Sequence, residues 1–202
     1  GPVLEFYGGD GSQEACVRAH YAGMAAKSAA GVLEKDWDAY NRAYVRSVGV
    51  PEHDFEQALT EFELTRNGWT WRWPIPSSLD ALGSLHATGV PIGVVSNASG
   101  QVEQLLRRSG VCQRGEGPLV SMRVIIDSHV VGVAKPDPRI FDFALEHFDG
   151  IDRSNIAYVG DSVTMDIGGA TAAGLYPILI DPYDDYAGAS FARIRSLEEL
   201  VR

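Results

Sequence analysis

The sequence is poor in cysteine and in basic residues, and it contains no long apolar run. Cys16 and Cys112 are its only cysteines, and their wide separation argues against a disulfide framework or a zinc site. Lys and Arg number 17 against 27 Asp and Glu, and the resulting formal net charge of -10 would repel nucleic acid, so we expect no such partner. No stretch is long enough to cross a bilayer and no signal-like amino terminus stands out, so we expect no membrane partner and a cytoplasmic location.

The chain also lacks an initiator Met. It opens on Gly1-Pro2, a pattern typical of a scar left by tag removal. We therefore expect part of the natural amino terminus to be absent from this sequence. The length of 202 residues suits one domain, or one domain that carries a small insertion.

Two regions differ in their apolar pattern. Residues from about 12 to 68 place apolar side chains at helical spacing, and glycine-containing turns divide them into three or four helices. From Pro74 onward, short apolar runs typical of buried parallel strands alternate with helical stretches. The predicted strands are 91–96, 124–127, 156–161 and 176–181, and the predicted helices are 77–88, 99–109, 138–148 and 163–173. This pattern predicts a three-layer α/β sheet core with helices on both faces.

Polar residues at the carboxyl ends of parallel strands deserve most scrutiny, because ligands bind there in open α/β sheets. Asp161 ends one apolar run and Asp166 falls in the first turn of the helix that follows, so both carboxylates can face one cation. Carboxylate oxygens completed by water suit Mg²⁺. Helix capping is the alternative for Asp161 or Ser162, but it explains one carboxylate and not two.

Ser96 and Asn97 follow another predicted strand, and their side chains and neighbouring backbone N–H groups could hold phosphoryl oxygens. Ordinary helix capping explains them equally well. Lys135 stands just before Pro136-Asp137-Pro138, where two prolines fix the entry into a helix. A lysine held in this way can neutralise charge on a transferring phosphoryl group, whereas the alternative is a solvated surface lysine.

The order of Ser96, then Lys135 before Pro136, then Gly160-Asp161 with Asp166 resembles the haloacid dehalogenase-like hydrolase superfamily over residues 74–182. The resemblance implies a Rossmann-like core and an aspartate nucleophile that forms an aspartyl-phosphate. It gives Ser96 the role of phosphoryl-oxygen donor, Lys135 that of charge stabiliser, and the two aspartates that of magnesium site. It also implies that residues 1–73 form a small all-helical cap on a core of residues 74–202.

The chain departs from the family pattern at the nucleophile. Members begin with an apolar strand that ends in Asp-x-Asp-Gly-Thr or Ser, and the nearest run here, Gly8 to Ser12, would place Gly8 at the nucleophile position. We prefer the interpretation that residues 3–7 end a cap helix, that Gly8 to Ser12 form its turn, and that the first strand lies upstream. A sheet without its central strand would expose apolar neighbours and favour pairing with another chain, so a homo-oligomer is an expected partner.

These features predict a magnesium-dependent phosphatase that acts on a small phosphorylated metabolite. The Asp161 and Asp166 pair favours a phosphatase over the metal-independent haloacid dehalogenases. A catalytically silent binding module that has lost its nucleophile is the second interpretation. In the predicted cap, the alternating run Trp69 to Trp73 could face the cleft, with Arg72 as an anion anchor, although packing of these aromatics within the cap is the commoner outcome.

Overall fold

The computed structural model describes residues 2–31, 36–65 and 72–201. Residues 2–65 of this set form a bundle of helices, here called the helical segment, and residues 76–201 form the α/β part. The helices of the helical segment are α1 (Pro2–Phe6), α2 (Gln13–Ala30), α3 (Asp38–Ser47) and α4 (Phe55–Thr65), with a 3₁₀ turn at Glu52–Asp54. The Ser12 hydroxyl accepts a hydrogen bond from the Ala15 amide and so caps α2, and Gly31 ends that helix in the left-handed conformation at φ 63°.

The run around Gly8 belongs to the helical segment. Leu4 in α1 is 1% exposed, and Tyr7 just after that helix is buried with it in one apolar cluster with residues of α2, α3 and α4. The structure therefore has a helix followed by a turn here, as predicted, whereas the assignment of this helix to a cap and the first strand upstream stay predictions. Asp10 Oδ1 accepts a hydrogen bond from the Ser12 backbone amide at 2.8 Å, a contact that is typical of an aspartate in a turn.

The α/β part alternates strands and helices, as predicted. Its strands are β1 (Gly93–Ser96), β2 (Cys112–Arg114), β3 (Val120–Met122), β4 (Val124–Asp127), β5 (Ala157–Gly160), β6 (Tyr176–Ile180) and β7 (Ala192–Ile194). Its helices are α5 (Pro76–Ala87), α6 (Val102–Arg108), α7 (Ser128–Val131), α8 (Arg139–Leu145), a π-helical turn (Val163–Ile167), α9 (Gly168–Ala172) and 3₁₀ turns at Arg153–Asn155 and Leu197–Leu200. The four predicted strands all form, whereas β2, β3, β7 and α7 were not predicted.

All strand pairs in the described part of the chain are parallel, which confirms the α/β class. Successive residues of β4 point to opposite faces: Val124 and Ile126 join a cluster with α8 and α9, while Ile125 joins a second cluster with α6. Apolar helices thus cover both faces of the sheet.

The sheet is interrupted between β1 and β5. β1 pairs with β4, and β5 pairs with β6 and then β7, but β1 and β5 are not paired with each other. The Tyr158 hydroxyl of β5 instead donates to the Val95 carbonyl of β1 at 2.9 Å. A tyrosine side chain plus a hydrogen bond spans roughly 10 Å, about twice the spacing of neighbouring strands. This reach sets an upper limit on the separation of β1 and β5 at these two residues.

The apolar cores of the two parts are separate. One cluster draws only on residues 3–62 and the other two draw only on residues 82–175. The predicted boundary at residue 73 falls between these clusters and stays a prediction. No helix within the described ranges is long and apolar enough to cross a membrane.

Candidate functional site

The strand ends of the α/β part open into a cleft of about 1170 Å³ that faces the helical segment. The residues that the sequence predicts for the site all line it: Ser96, Asn97, Lys135, Asp161 and Asp166. The helical segment lines the opposite wall with His20, Met24, Trp37, Asp38, Asn41 and Glu63. The structure therefore brings the predicted residues to one place, although they are widely spaced in the sequence.

Lys135 is a buried cation, 9% exposed, on the floor of the cleft. Its ammonium donates to Asp166 Oδ1 at 2.7 Å, to the Tyr158 hydroxyl at 2.8 Å and to the Val95 carbonyl at 3.3 Å. Burial disfavours the charged form, but Tyr158 and Asp166 outweigh it and raise the pKa of Lys135 above its ordinary value. The side chain is therefore a fixed positive charge. It lies between α7 and α8 and not in the first turn of a helix, because α8 begins only at Arg139.

Asp166 uses both carboxylate oxygens inside the protein. Oδ1 accepts from Lys135 and lies 3.2 Å from the Tyr158 hydroxyl, whose single proton is shared between Oδ1 and the Val95 carbonyl, while Oδ2 accepts hydrogen bonds from the backbone amides of Asp161 at 3.0 Å and Ser162 at 2.9 Å. Gly160 makes this possible, because a Cβ at that position would lie 2.3 Å from Cγ of Asp166. Asp166 thus holds Lys135 and the end of β5 together. To ligate a cation directly, as the sequence predicts, it would have to exchange one of these bonds.

Asp161 presents its carboxylate to the cleft, with 35% of the side chain exposed. Its Oδ2 lies 2.8 Å from Nε2 of His20 on α2. Burial alone would raise the pKa of this carboxyl, but the hydrogen bond from His20 and the positive charge of Lys135 outweigh it and lower the pKa. Asp161 is therefore ionised at neutral pH and accessible to a cation.

Asn97 binds the backbone of Lys135. Its Oδ1 accepts the Lys135 amide at 2.8 Å and its Nδ2 donates to the Lys135 carbonyl at 3.0 Å and to Met165 Sδ at 3.5 Å. The sequence predicts that the Asn97 side-chain amide binds phosphate. In the structure this amide holds the backbone of Lys135 in place. Contact between this amide and a phosphoryl group stays a prediction.

The loop after β1 is held by residues that follow β4. The Ala98 amide donates to the Ser128 hydroxyl at 3.0 Å, and the Gly100 amide donates to Asp127 Oδ2 at 2.9 Å. These two backbone N–H groups are therefore already hydrogen-bonded within the protein, and phosphate binding by amides next to Ser96 stays a prediction. Ser96 itself ends β1 and lines the same cleft as Lys135 and Asp161.

The aromatic run predicted for the cap lies partly outside the described residues, since Trp69 and Trp71 fall between 66 and 71. Trp73 is 82% exposed, and the Arg72 guanidinium lies 5.8 Å from the centre of its ring. Arg72 is not among the residues that line the cleft. Its role as an anion anchor stays a prediction.

Sequence reasoning missed two residues of the site. Tyr158 sits inside an apolar strand, where a tyrosine usually packs, and only the interruption of the sheet reveals the role of its hydroxyl. His20 lies 141 residues from Asp161, and no spacing rule connects them.

The side chains of this site can hold a divalent cation only if water or substrate supplies further ligands. Within residues 2–31, 36–65 and 72–201, no cluster of three His, Cys, Asp or Glu side chains could bind a metal ion alone. One accessible carboxylate is compatible with Mg²⁺, which binds through one or two carboxylates and completes its shell with water and substrate phosphate. Asp161 fits that requirement.

A model of the haloacid dehalogenase-like hydrolase family matches residues 18–174, and the chain belongs to this family. The chain is 34% identical over 103 residues to pyrimidine 5'-nucleotidase YjjG of Escherichia coli, covering 50% of this chain and 42% of that protein. It is 30% identical over 143 residues to the phosphoserine phosphatase of Thermus thermophilus, covering 70% and 53%. The chain spans about half the length of the curated relatives it matches.

The fold agrees with solved structures. The magnesium-bound structure of the putative HAD-hydrolase YfnB from Bacillus subtilis matches 98% of this chain and 86% of that one, with a TM-score of 0.59 and 21% identity. At that identity the likeness shows the shared fold alone. The family and the fold class expected from the sequence are thereby confirmed.

Proposed function

We propose that this chain forms part of a magnesium-dependent phosphatase that hydrolyses a small phosphorylated metabolite through an aspartyl-phosphate. The observation that carries the proposal is the buried Lys135–Asp166 pair at 2.7 Å beside the accessible carboxylate of Asp161. A fixed positive charge and a cation-binding carboxylate at one strand edge suit the charge of a transferring phosphoryl group. Names of curated relatives, such as phosphoserine phosphatase, support the same class of substrate.

Each residue has a definite role in this proposal. The Ser96 hydroxyl donates to a phosphoryl oxygen, and the Lys135 ammonium stabilises the charge that builds on the phosphoryl group and its acceptor. Asp161 ligates Mg²⁺, and Asp166 keeps Lys135 charged and in place. Bound Mg²⁺ would neutralise phosphoryl oxygens and orient them. The helical segment covers the cleft and excludes water from it.

The nucleophile is the part that the described residues do not provide. Asp10 is a turn residue in the helical segment and does not line the cleft. We propose that the nucleophilic aspartate ends a strand that pairs with both β1 and β5, because these two strands are not paired with each other and both lead into the cleft, at Ser96 and Asp161. The second candidate is a silent binding module of the same fold, which the position of Asp10 favours.

Phosphate release distinguishes these candidates. The assay compares the 202-residue chain with the complete product of its reading frame, using an aryl phosphate and a panel of small phosphomonoesters with and without Mg²⁺. We expect magnesium-dependent turnover by the complete product and none by the 202-residue chain. Turnover by neither protein would favour the silent module, and turnover by the 202-residue chain would show that the nucleophile lies within it.

A further inference from the structure

One polar contact across the cleft joins a histidine of the helical segment to the proposed cation ligand. His20 on α2 lies 2.8 Å from Asp161 Oδ2 through Nε2, and 2.9 Å from the Tyr40 hydroxyl through Nδ1. The His20 side chain is 22% exposed, so water competes weakly for these bonds. A chain of three polar side chains therefore runs from the interior of the helical segment to the end of β5.

The Asp161 carboxylate sets the tautomer of a neutral His20 ring, and Tyr40 holds the ring in place. An ionised carboxylate only accepts hydrogen bonds, so Nε2 must carry the proton that points at Asp161. In the neutral ring Nδ1 then accepts from the Tyr40 hydroxyl. Tyr40 is 1% exposed, and a Cβ at Gly23 would lie 2.6 Å from its ring, so the tyrosine is packed in one position. The orientation of the imidazole is therefore set from within the helical segment.

The contact with His20 engages only one oxygen of Asp161. Oδ2 lies 2.8 Å from His20 Nε2, and no side chain of the described residues hydrogen-bonds Oδ1, which faces a cation more freely. Carboxylates that ligate metals are commonly held by a second hydrogen-bonding group, and that group improves metal affinity by fixing the ligand in a productive orientation. Here the orienting group comes from the opposite wall of the cleft.

We propose that His20 is a positioning residue that orients Asp161 for the cation and thereby couples cation binding to closure of the helical segment. This inference rests on the proposed function, which supplies the cation. It adds His20 as the residue through which cation binding stabilises the position of the helical segment. Linkage requires the coupling to work in both directions: if closure improves cation affinity, the cation stabilises the closed arrangement. Arg18, which pairs with Asp185 at 2.6 Å, holds α2 to the α/β part separately.

Mn²⁺ binding to the 202-residue chain tests the proposal without any need for turnover, because free Mn²⁺ is read by its EPR signal. We expect His20→Ala to weaken Mn²⁺ affinity by about tenfold or more, the scale for loss of a group that orients a metal ligand. His20→Gln, which places an amide donor near the position of Nε2, should recover most of that affinity. His53→Ala is the matched control, because the His53 side chain is 79% exposed, and it should bind as the native chain does.

Hydrogen exchange of residues 13–30 gives the second readout. Mn²⁺ or Mg²⁺ should slow exchange in the native chain and in His53→Ala, but not in His20→Ala. Circular dichroism checks that each variant folds, and Tyr40→Phe, which removes only the hydroxyl, should shift affinity in the same direction as His20→Ala.

The outcomes separate this inference from the proposed function. Equal or tighter Mn²⁺ binding by folded His20→Ala would overturn the inference alone and leave Asp161 as the cation ligand. Binding by the native chain that Asp161→Asn does not weaken would contradict the cation assignment and the inference together. A native chain that does not bind Mn²⁺ would also contradict both the cation assignment and the inference.

Discussion

The Lys135 ammonium lies 2.7 Å from Asp166 Oδ1, and both side chains are nearly inaccessible to solvent, at 10% and 5% exposed. The opposite charge of each group offsets the desolvation cost of burying the other. Removing one partner of such a pair leaves an uncompensated charge, whereas removing one partner of an exposed pair changes little.

Asp166→Asn should therefore lower the free energy of unfolding by about 3 kcal/mol, the lower end for a broken buried pair. Urea denaturation measures the change. The control is Asp142→Asn, which breaks the Arg153–Asp142 pair at 2.9 Å, where both side chains are about half exposed. It should change stability by less than about 1 kcal/mol. Equal effects of the two substitutions would contradict the structural role given to Asp166.

Asn97→Ala should loosen the segment that carries Lys135, because it removes both hydrogen bonds to the Lys135 backbone. We expect a loss of about 1–3 kcal/mol in unfolding free energy, since the Lys135 backbone groups lose their partners. In an active form of the protein, kcat should fall more than KM rises. Asn155→Ala, at an exposed position in a 3₁₀ turn, is the control. Unchanged stability of the Asn97 variant would argue that this side chain is available to substrate instead.

Gly160→Ala should be destabilising, because its Cβ would meet the Asp166 carboxylate at the end of β5. Overpacking of this kind typically costs about 1–3 kcal/mol. Gly83→Ala is a matched control in the middle of α5, where a Cβ meets nothing within 4 Å. That substitution should be neutral or stabilise by up to about 1 kcal/mol. Thermal unfolding of the two variants side by side gives the comparison, and a stable Gly160 variant would contradict the geometry of Asp166.

Cys112 should resist thiol reagents in the native protein. It is 1% exposed, and burial raises its pKa from 9.0 to about 11. Because the folded pKa is the higher one, the stability that the neutral thiol contributes is fully present below pH 9.0 and is lost as pH rises toward about 11. At pH 8 a chromogenic disulfide should label the partly exposed Cys16 first. Labelling of both thiols at the same rate would show that the region around β2 opens readily.

The sequence predicts the strands that carry the site better than it predicts the contacts between them. β1, β4, β5 and β6 follow from apolar runs, and Ser96 and Asp161 follow from their position at strand ends. The three-residue strands β2, β3 and β7 are too short to show a recognisable alternation of apolar and polar residues in the sequence. The pairing of Asn97 with the Lys135 backbone depends on a long-range approach that no local pattern encodes. The same holds for His20 and Asp161, which meet only because α2 lies across the end of β5.

The central claim is that Asp161 binds the magnesium ion of a phosphatase. The direct test measures phosphate release by the complete product of the reading frame over a range of Mg²⁺ concentrations, for the native protein, Asp161→Asn and the control Asp149→Asn at an exposed position. We expect Asp161→Asn to lose at least about a hundredfold in kcat, the scale for loss of one electrostatic stabiliser of the transition state. The control should keep native turnover. Native magnesium-dependent turnover by Asp161→Asn would contradict the account.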